Sequence, residues 1–367
     1  MEIGIGLIGG GYMGKAHAVA MSSVGAVFDT DLRPRLEMIC TSSQESAEKY
    51  RRAYGFHHAT DDWRSLVADP KVEAVIIASP QATHSDIALA AFKQGKPVFC
   101  EKPLGLSTQQ SAQMLEAAEK SGVVNMVGFN YIRTPASQYA RKLIQDGAIG
   151  RILWFRGEHS EDFMADGNAP TTWRSQGEAN GTLGDLAPHM INGALALVGE
   201  IDQVMADIQT CYTNRGNDDQ VQLMCRFNSG VMGQMYFSRV HTGRKMGYCY
   251  EVVGSRGTIR FDQEDQNALW LYQSEEDSAQ QGFRRILTGP AHPDYASFCQ
   301  GAGHGTGYQD QIIIEAKDFL EAIASGKPTW PSFADGHAVN CVIEAARQSA
   351  KTGNWAIIGD KNDHHYR

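Results

Sequence analysis

A lysine, an aspartate and a histidine stand where their side chains could transfer a proton. Lys102 follows the apolar residues 97–100 and precedes Pro103, which places it at the carboxyl end of a predicted strand, where open α/β sheets bind ligands. Asp185 and His189 are four residues apart in a predicted helix and therefore share a face. A carboxylate paired with an imidazole can move a proton near neutral pH. The alternatives are a surface lysine in a turn and an ordinary helix N-terminus.

A glycine-rich loop near the start of the chain has the spacing of a phosphate-binding loop. Residues 9–14 are Gly-Gly-Gly-Tyr-Met-Gly, and they lie between the apolar residues 3–8 and a predicted helix. This context suits a dinucleotide site. Gly9 would allow the tight turn, Gly11 the approach of a pyrophosphate, and Gly14 the packing of helix on strand. The helix N-terminus would supply N–H donors, and a turn without a ligand is the alternative.

The residues after the second predicted strand bear on which dinucleotide would bind. A carboxylate for the ribose hydroxyls is expected there, but the chain has Thr41, Ser42 and Ser43. Three hydroxyls could bond to a ribose or to a 2′-phosphate, although Arg51 and Arg52 lie a helix away. The sequence therefore predicts NAD or NADP as the cofactor, and use of NADP or of both is our hypothesis.

Strands and helices alternate through the first third of the chain and change character later. The predicted strands are 3–8, 36–40, 72–78, 97–100 and 123–128, and the predicted helices are 44–54, 84–94 and 107–121. This alternation is typical of an α/β fold with a Rossmann-type, doubly wound parallel sheet. From 201 to 273, alternating residues such as 221–227 predict a large, mostly antiparallel sheet. We predict a dinucleotide-binding domain over 1–125 and an α+β domain over 126–367.

Composition excludes several classes of protein. The chain has 367 residues, of which 42% are apolar and 20% charged, which suits about two globular domains. Its net charge of −9 argues against nucleic acid as a partner. We expect no membrane segment and no signal peptide. Seven cysteines without a C-x-x-C pair predict free thiols, no metal site and a cytoplasmic location.

Several motifs resemble, in their order along the chain, those of a known family. They are the strand–Gly-Gly-Gly-Tyr-Met-Gly–helix opening, Ser79-Pro80-Gln81-Ala82-Thr83-His84, Glu101-Lys102-Pro103, Gly128-Phe129-Asn130-Tyr131 and Gly184-Asp185-Leu186-Ala187-Pro188-His189. Over nearly its whole length the chain resembles the Gfo/Idh/MocA oxidoreductases. The resemblance implies hydride transfer between a nicotinamide cofactor and a secondary hydroxyl of a cyclic polyol or sugar of the inositol, pyranose or anhydrosugar type.

The resemblance also implies a role for each matching residue. Lys102 would hold and help deprotonate the reacting hydroxyl, Asp185 would fix its geometry, and His189 would be the general base. Residues implied at the cofactor are Gly9, Gly11, Tyr12, Met13, Gly14, Thr41, Ser42, Ser43, Ser79, Pro80, Gln81, His84, Glu101 and Lys102. Candidates for binding the substrate are Tyr131, Arg133, His159, Asp162, Trp173, Arg174, His304 and Tyr308. The chain departs from the family pattern at Thr41, where aspartate is frequent, and at Ala187, where glycine is frequent.

Two other functions remain open beside a dehydrogenase. One is an enzyme that modifies glycosides through a keto-sugar intermediate and keeps its NAD bound, from which net cofactor turnover would distinguish a dehydrogenase. The other is a non-catalytic ligand sensor of the same fold, although Lys102, Asp185 and His189 are all present. The predicted partners are a small sugar or polyol and further copies of this chain, in a homodimer or homotetramer formed through the C-terminal sheet.

Overall fold

The computed structural model describes residues 1–274 and 277–359, apart from the side chain of Trp173. Within these residues the chain forms two compact units. The first comprises Met1–Arg133 and Gly307–Asn340, and the second comprises Thr134–Thr306 and the residues from Cys341 onward. The first unit thus includes a strand at Asn125–Gly128 and a helix that begins at Tyr308, whereas the predicted domain ends at residue 125.

The first unit is built on a parallel sheet of six strands. These are β1 (Glu2–Ile8), β2 (Arg33–Cys40), β3 (His58–Thr60), β4 (Ala74–Ile77), β5 (Val98–Glu101) and β6 (Asn125–Gly128). Their order in the sheet is β3-β2-β1-β4-β5-β6, and each neighbouring pair is parallel. The strand order reverses between β1 and β4, so their carboxyl ends form the switch point at which such sheets bind ligands. The predicted doubly wound fold is confirmed.

Five helices connect these strands, and their ends follow from capping residues. They are α1 (Tyr12–Val27), α2 (Gln44–Tyr54), α3 (Trp63–Ala68), α4 (His84–Lys93) and α5 (Thr108–Ser121). Ser43 caps α2 by accepting the N–H of Ser46, and Ser107 caps α5 in the same way. Both helices end at a glycine in the left-handed region, Gly55 and Gly122. The sequence did not predict β3 or α3, because three and six residues show too little periodicity.

The second unit is built on a sheet of nine strands. Its first four helices are α6 (Pro135–Gln145), α7 (Thr182–Asp185), α8 (Ala187–Leu197) and α9 (Tyr295–Phe298). Its strands are β7 (Ile152–Ser160), β8 (Ile201–Gln209), β9 (Gln220–Phe227), β10 (Met232–Ser238), β11 (Gly247–Gly254), β12 (Gly257–Asp262), β13 (Ala268–Gln273), β14 (Arg284–Leu287) and β15 (Ala356–Ile357). The order is β14-β13-β12-β11-β7-β10-β9-β8-β15. All neighbouring pairs are antiparallel except β7 with β10, which confirms the predicted sheet type.

One face of the nine-stranded sheet is covered by helices. In β9, Val221, Leu223, Cys225 and Phe227 are buried, whereas the residues between them are exposed. Helix α8 packs on β7, α7 packs on β9 and β10, and α6 packs on β12 and β13. The period of two in the sequence thus reports a sheet with one packed face and one open face.

Two further helices follow the sheet strands β7–β14. Helix α10 (Tyr308–Ser325) belongs to the first unit and packs along α1, and α11 (Phe333–Thr352) follows it. The Asp310 carboxylate accepts the N–H of Gly307 at the start of α10, and Gly326 ends the helix in the left-handed region. Among the helices described, none combines the length and the apolar character needed to cross a membrane.

Candidate active site

The glycine loop between β1 and α1 has the geometry of a pyrophosphate cradle. Gly9 has a φ of 107°, and a Cβ on it would lie 2.3 Å from the carbonyl oxygen of Ala78. A Cβ on Gly14 would lie 2.0 Å from the carbonyl oxygen of Gly9, so helix and loop touch there. At Gly11 a Cβ would meet no described atom within 4 Å. The loop is therefore closed where it must pack and open where a dinucleotide would approach, so these residues fit the cofactor.

A cluster of hydroxyls lies at the carboxyl end of β2, where the adenosine ribose is expected. The Thr41 hydroxyl bonds to the Ser46 hydroxyl and donates to the carbonyl of Ser43 at 3.2 Å. Ser42 lies between them and is exposed. Ser46 was not predicted as a site residue, although its position three residues after an N-cap serine places it beside that cap. The cluster is uncharged and can bond to a ribose hydroxyl or to a phosphate.

The segment after β4 is tied to the turn that carries Lys102. His84 is buried, and its ring nitrogens lie 3.0 Å from the carbonyl oxygen of Ser79 and 3.1 Å from that of Pro103. Burial lowers the pKa of His84. The sequence predicted His84 at the cofactor; in the structure its ring contacts these two main-chain carbonyls, and the cofactor contact stays a prediction. Pro80 is exposed and Gln81 half-buried at the start of this segment.

The two residues at the end of β5 differ in their surroundings. The Glu101 carboxylate is buried and lies 2.7 Å from Nε2 of His17 on α1. The neighbouring strand has Gly128 opposite Glu101, and a Cβ there would lie 2.9 Å from the carboxylate. Glu101 was predicted at the cofactor; its carboxylate pairs with α1 of the same unit, and the cofactor contact stays a prediction. His17 was missed, and its signal is a histidine on the buried face of the helix after the glycine loop.

Tyr308 contacts the glycine loop from the start of α10. Its hydroxyl lies 3.5 Å from Sδ of Met13, and its ring centroid is 6.0 Å from that of Tyr12 and 6.2 Å from that of Tyr131. Burial, followed by the neighbouring Tyr131, raises the pKa of Tyr308. Three aromatic rings and a thioether thus gather beside the predicted pyrophosphate site within the first unit.

Arg133 was predicted to bind substrate, and its side chain is buried in the first unit. It is 5% exposed. Its guanidinium pairs with Asp318 at 2.5 Å and donates to the carbonyl of Trp330. Two partners on later segments of the same unit therefore hold the side chain. The charge of the guanidinium is balanced by the Asp318 carboxylate within that unit.

In the second unit, Asp185 and His189 lie on two helices and not on the single helix predicted. Asp185 ends α7 and His189 is the third residue of α8, with Leu186 between the two helices. The ring of His159 is buried, and its Nδ1 lies 2.9 Å from the Leu186 carbonyl. Its centroid is 5.6 Å from that of His189. His159 was predicted to bind substrate; its ring contacts the residue that joins the two helices, and the substrate contact stays a prediction.

Other predicted substrate residues of this unit already have partners. Arg174 donates to the Asp185 carboxylate at 2.9 Å. Asp162 pairs with Lys245 at 2.6 Å, and the hydrogen bond from this ammonium lowers the pKa of the carboxyl. His304 lies with Nδ1 2.9 Å from Sγ of Cys299. The side chain of Trp173 lies outside what the structure describes, and its backbone starts a short 3-10 helix, Trp173–Ser175.

The sequence predicted free thiols and no metal site. All seven cysteines are free thiols. Within residues 1–274 and 277–359, no group of three or more histidine, cysteine, aspartate or glutamate side chains could hold a metal ion.

Comparison with known proteins identifies the family. The model of the oxidoreductase family with an NAD-binding Rossmann fold matches residues 3–129, and the model of the Gfo/Idh/MocA C-terminal domain matches residues 137–260. The chain belongs to the Gfo/Idh/MocA oxidoreductase family. The predicted recognition and the predicted NAD-binding Rossmann domain are thereby confirmed.

Similar proteins of known activity cover almost the whole chain. Levoglucosan dehydrogenase of Pseudarthrobacter phenanthrenivorans is 38% identical over 97% of this chain and 98% of its own length. Inositol 2-dehydrogenase of Rhizobium meliloti is 28% identical over 95% and 97%. Among solved structures, levoglucosan dehydrogenase in complex with NADH and levoglucosan has a TM-score of 0.96 at 39% identity, covering 98% of this chain and 100% of that one.

Proposed function

We propose that this protein is an NAD-dependent dehydrogenase that oxidises a secondary hydroxyl of a cyclic sugar or polyol, with levoglucosan as the first candidate substrate. The observation that carries the proposal is the 38% identity to levoglucosan dehydrogenase over nearly the full length of both chains. The presence of Lys102, Asp185 and His189 supports it, because a ligand sensor could have lost any of the three.

The residues of the glycine loop would hold the cofactor. The N–H groups at the start of α1 would bind the pyrophosphate beside the open position at Gly11. The hydroxyls of Thr41, Ser43 and Ser46 would bond to the adenosine ribose, or to a 2′-phosphate if NADP also binds. The nicotinamide, when bound, supplies the redox chemistry by taking or returning a hydride.

Three side chains would handle the proton and the charge of the reacting alcohol. His189 would accept the hydroxyl proton as general base, and a positioned base accelerates such a step about 10²–10⁴-fold. The Lys102 ammonium would hold the alcohol oxygen and stabilise the negative charge that develops on it. Asp185 would orient the hydroxyl, with its own position fixed by Arg174. In the reverse direction His189 would return the proton.

We propose that four side chains bind the rest of the substrate: Arg174, Trp173, Tyr131 and Tyr308. The Arg174 side chain is 42% exposed beside Asp185, so it can donate to a sugar hydroxyl from where it stands. Asp162 and His304, also predicted for this role, are engaged with Lys245 and Cys299. Binding through them would require these partners to be exchanged for substrate hydroxyls.

The open face of the nine-stranded sheet would join two copies of this chain. A row of side chains crosses five neighbouring strands of this face and consists of Trp270, Arg260, Glu251, Arg156 and Gln234. Arg260 pairs with Glu251 at 2.5 Å, and Arg156 lies 3.7 Å from the carboxylate of Glu158, so the row combines an apolar ring with charges that have partners. Such a face can pair with its own copy.

A cytoplasmic location is proposed from the free thiols.

The proposed activity is tested by mixing the purified protein with NAD⁺ or NADP⁺ and a panel of substrates. Levoglucosan, myo-inositol, scyllo-inositol, glucose and L-sorbose would be compared by absorbance at 340 nm. We expect NADH to form with levoglucosan. Turnover of an inositol and of no other compound would show that levoglucosan is the wrong substrate, and would still support the proposed dehydrogenase activity. Conversion of a glycoside without net NADH would favour the keto-sugar alternative, and binding without any conversion would favour a sensor.

A further inference from the structure

The loop between β8 and β9 comprises residues 210–219. It contacts main-chain atoms of residues 161–181, the loop that precedes α7. We call residues 210–219 the frame loop. Side chains of the frame loop donate to main-chain carbonyls at 2.5 to 3.1 Å, from Tyr212 to Ala165, from Asn214 to Gly167, and from Arg215 to Met164 and Asp166. The frame loop therefore holds residues 164–167 through their main-chain carbonyls, and position 167 also needs a glycine, because a Cβ there would lie 2.5 Å from the Tyr212 ring.

Asn217 of the frame loop also donates to main-chain carbonyls, among them that of Arg174, the residue that contacts Asp185. Its Nδ2 donates to the carbonyl oxygens of Arg174 at 3.0 Å and Gly177 at 2.9 Å. Its Oδ1 accepts from Arg239 at 2.6 Å. The side chain is buried, so both donors and the acceptor of the amide are used inside the protein. An amide so engaged holds one orientation.

Arg239 is the residue after β10, and all three of its guanidinium nitrogens donate to the frame loop or to the loop of residues 161–181. Nε donates to Asp219 at 3.0 Å, and one terminal nitrogen donates to the carbonyl oxygens of Arg174 at 2.7 Å and Asn180 at 3.2 Å. The other terminal nitrogen donates to Asn217. Asp219 is fully buried and also pairs with Arg215 at 2.6 Å. A buried charge cluster that is fully hydrogen-bonded is rigid.

The first turn of α7 is held by two residues of the frame loop, Asp218 and Asp219. The Asp218 carboxylate accepts the N–H of Leu183 at 2.7 Å, which caps α7 from a distant part of the chain. A Cβ on Gly181 would lie 2.0 Å from this carboxylate, so only glycine fits. The Thr182 hydroxyl donates to the carbonyl of Asp219 at 2.8 Å. The segment that leads to Asp185 is thus fixed on both sides of Gly181.

We infer that the frame loop and Arg239 are positioning elements for the reaction, because they fix the backbone that carries Arg174 and leads to Asp185. This inference rests on the proposed function. Asn217, Asp218, Asp219 and Arg239 would touch neither substrate nor cofactor, and would act through the Arg174–Asp185 pair. Because the frame loop binds main-chain atoms, side chains of 161–181 other than those at Gly167 and Gly181 can change with substrate while the path of the loop is kept.

The test is Asn217→Asp, with Asn354→Asp as the matched control. The first change is nearly isosteric and removes both donors to the carbonyls of Arg174 and Gly177. Asn354 also donates its amide to a main-chain carbonyl, that of Thr352 at 2.9 Å, but at an exposed site. Measured quantities are kcat and KM for levoglucosan, the NADH dissociation constant, and hydrogen exchange of residues 161–183 without substrate.

For Asn217→Asp we expect exchange of residues 161–183 to accelerate at least tenfold, because the carbonyl partners are lost. We expect kcat to fall about 100-fold, as a misplacement of about 1 Å can cause, with a smaller rise in KM. The NADH dissociation constant stays within twofold, and Asn354→Asp behaves as the wild type. Arg239→Lys, which keeps the charge beside Asp219, has the same expected direction, and so does Asn217→Ser if Asn217→Asp does not fold.

Wild-type exchange protection in folded Asn217→Asp, with kcat within twofold, would overturn the inference and leave the dehydrogenase proposal intact. Faster exchange with unchanged kcat would also overturn it, because the frame would then be structural only. If the wild type oxidises no sugar of the panel, the dehydrogenase proposal fails. The exchange data then still decide separately whether the frame fixes the loop.

Discussion

The Arg174 guanidinium donates to the Asp185 carboxylate at 2.9 Å within the second unit. Replacing Arg174 with lysine would remove the planar donor that orients this carboxylate. Since a hydrogen bond to a charged group contributes about 1.5–3 kcal/mol, we expect kcat/KM for the substrate to fall about 10- to 100-fold. Arg285→Lys is the control, because Arg285 pairs with Asp265 at 2.8 Å on the exposed surface. Steady-state kinetics would check both, and equal values for the two variants would contradict a role for Arg174.

Lys102 and His189 are expected to affect turnover far more than cofactor binding. Lys102→Ala and His189→Ala should each lower kcat by about two to four orders of magnitude, because general acid–base and electrostatic stabilisation are lost. The NADH dissociation constant, measured by fluorescence, should stay within about threefold. Lys120→Ala is the control, since Lys120 pairs with Glu116 on an exposed helix face. Near wild-type turnover of either variant would refute its assignment.

Gly11→Val is expected to weaken cofactor binding without unfolding the protein. Gly11 has a φ of −69°, which other residues adopt, and its Cβ position is free of described atoms within 4 Å. A valine there would occupy the place of the pyrophosphate. We expect the NADH dissociation constant to rise at least about tenfold with an unchanged melting temperature. Gly282→Val, which also meets open space, should change neither, and unchanged affinity in Gly11→Val would exclude this loop.

The Glu315 carboxyl on α10 gives a pH-dependent stability that Glu315→Gln should remove. It is fully buried, and burial, followed by the nearby Glu101, raises its pKa well above the usual value of 4.5, while Arg133 opposes the shift. The stabilising effect of this protonated carboxyl is complete below pH 4.5 and is lost as pH rises towards the folded pKa.

Glutamine mimics the protonated form at every pH. We therefore expect Glu315→Gln to melt at a higher temperature than the wild type at pH 8, and the difference to shrink towards pH 5. Each unit of difference between the folded and unfolded pKa corresponds to about 1.4 kcal/mol, so a rise of a few degrees is expected. Calorimetry across this range would test it. Glu119→Gln on the exposed surface of α5 is the control, and a pH-independent difference for Glu315→Gln would contradict the expectation.

Thr41→Asp should change the choice between NAD and NADP. Thr41 now contributes a neutral hydroxyl to the cluster at the end of β2. A carboxylate at this position would accept from the ribose hydroxyls and repel a 2′-phosphate. We expect KM for NADP⁺ to rise at least about tenfold and KM for NAD⁺ to change little. Equal changes for the two cofactors would show that residue 41 does not contact this part of the dinucleotide.

The sequence predicted the elements whose signals are local. The spacing of Gly9, Gly11 and Gly14 predicted the loop, and the predicted helices 44–54 and 107–121 agree with α2 and α5 within one residue. The period of two located the sheet of the second unit. These patterns depend on neighbours within one turn or one strand, so a sequence displays them directly.

The sequence could not predict contacts between distant segments. His17 and Glu101 are 84 residues apart, and nothing local relates a histidine of α1 to the motif of Lys102. Glu101, Arg133 and His159 were predicted as ligand contacts because they lie in or near motifs, and a motif gives no information on their burial or on their pairing with distant residues. The frame loop was missed for the same reason, because its side chains contact the main chain of residues 161–181.

The parallel pairing of β7 with β10 has a consequence for how the molecule can be altered. Ser160 and Ser238 are partners at the carboxyl ends of these strands, so the loop that begins at Glu161 and the segment of Arg239 leave the sheet side by side. The hairpin at 228–230 lies at the opposite edge, beside the amino ends of the same two strands. Insertions or a fused domain are thus better accommodated at that hairpin, while the edge at Ser160 and Ser238 tolerates little change in length.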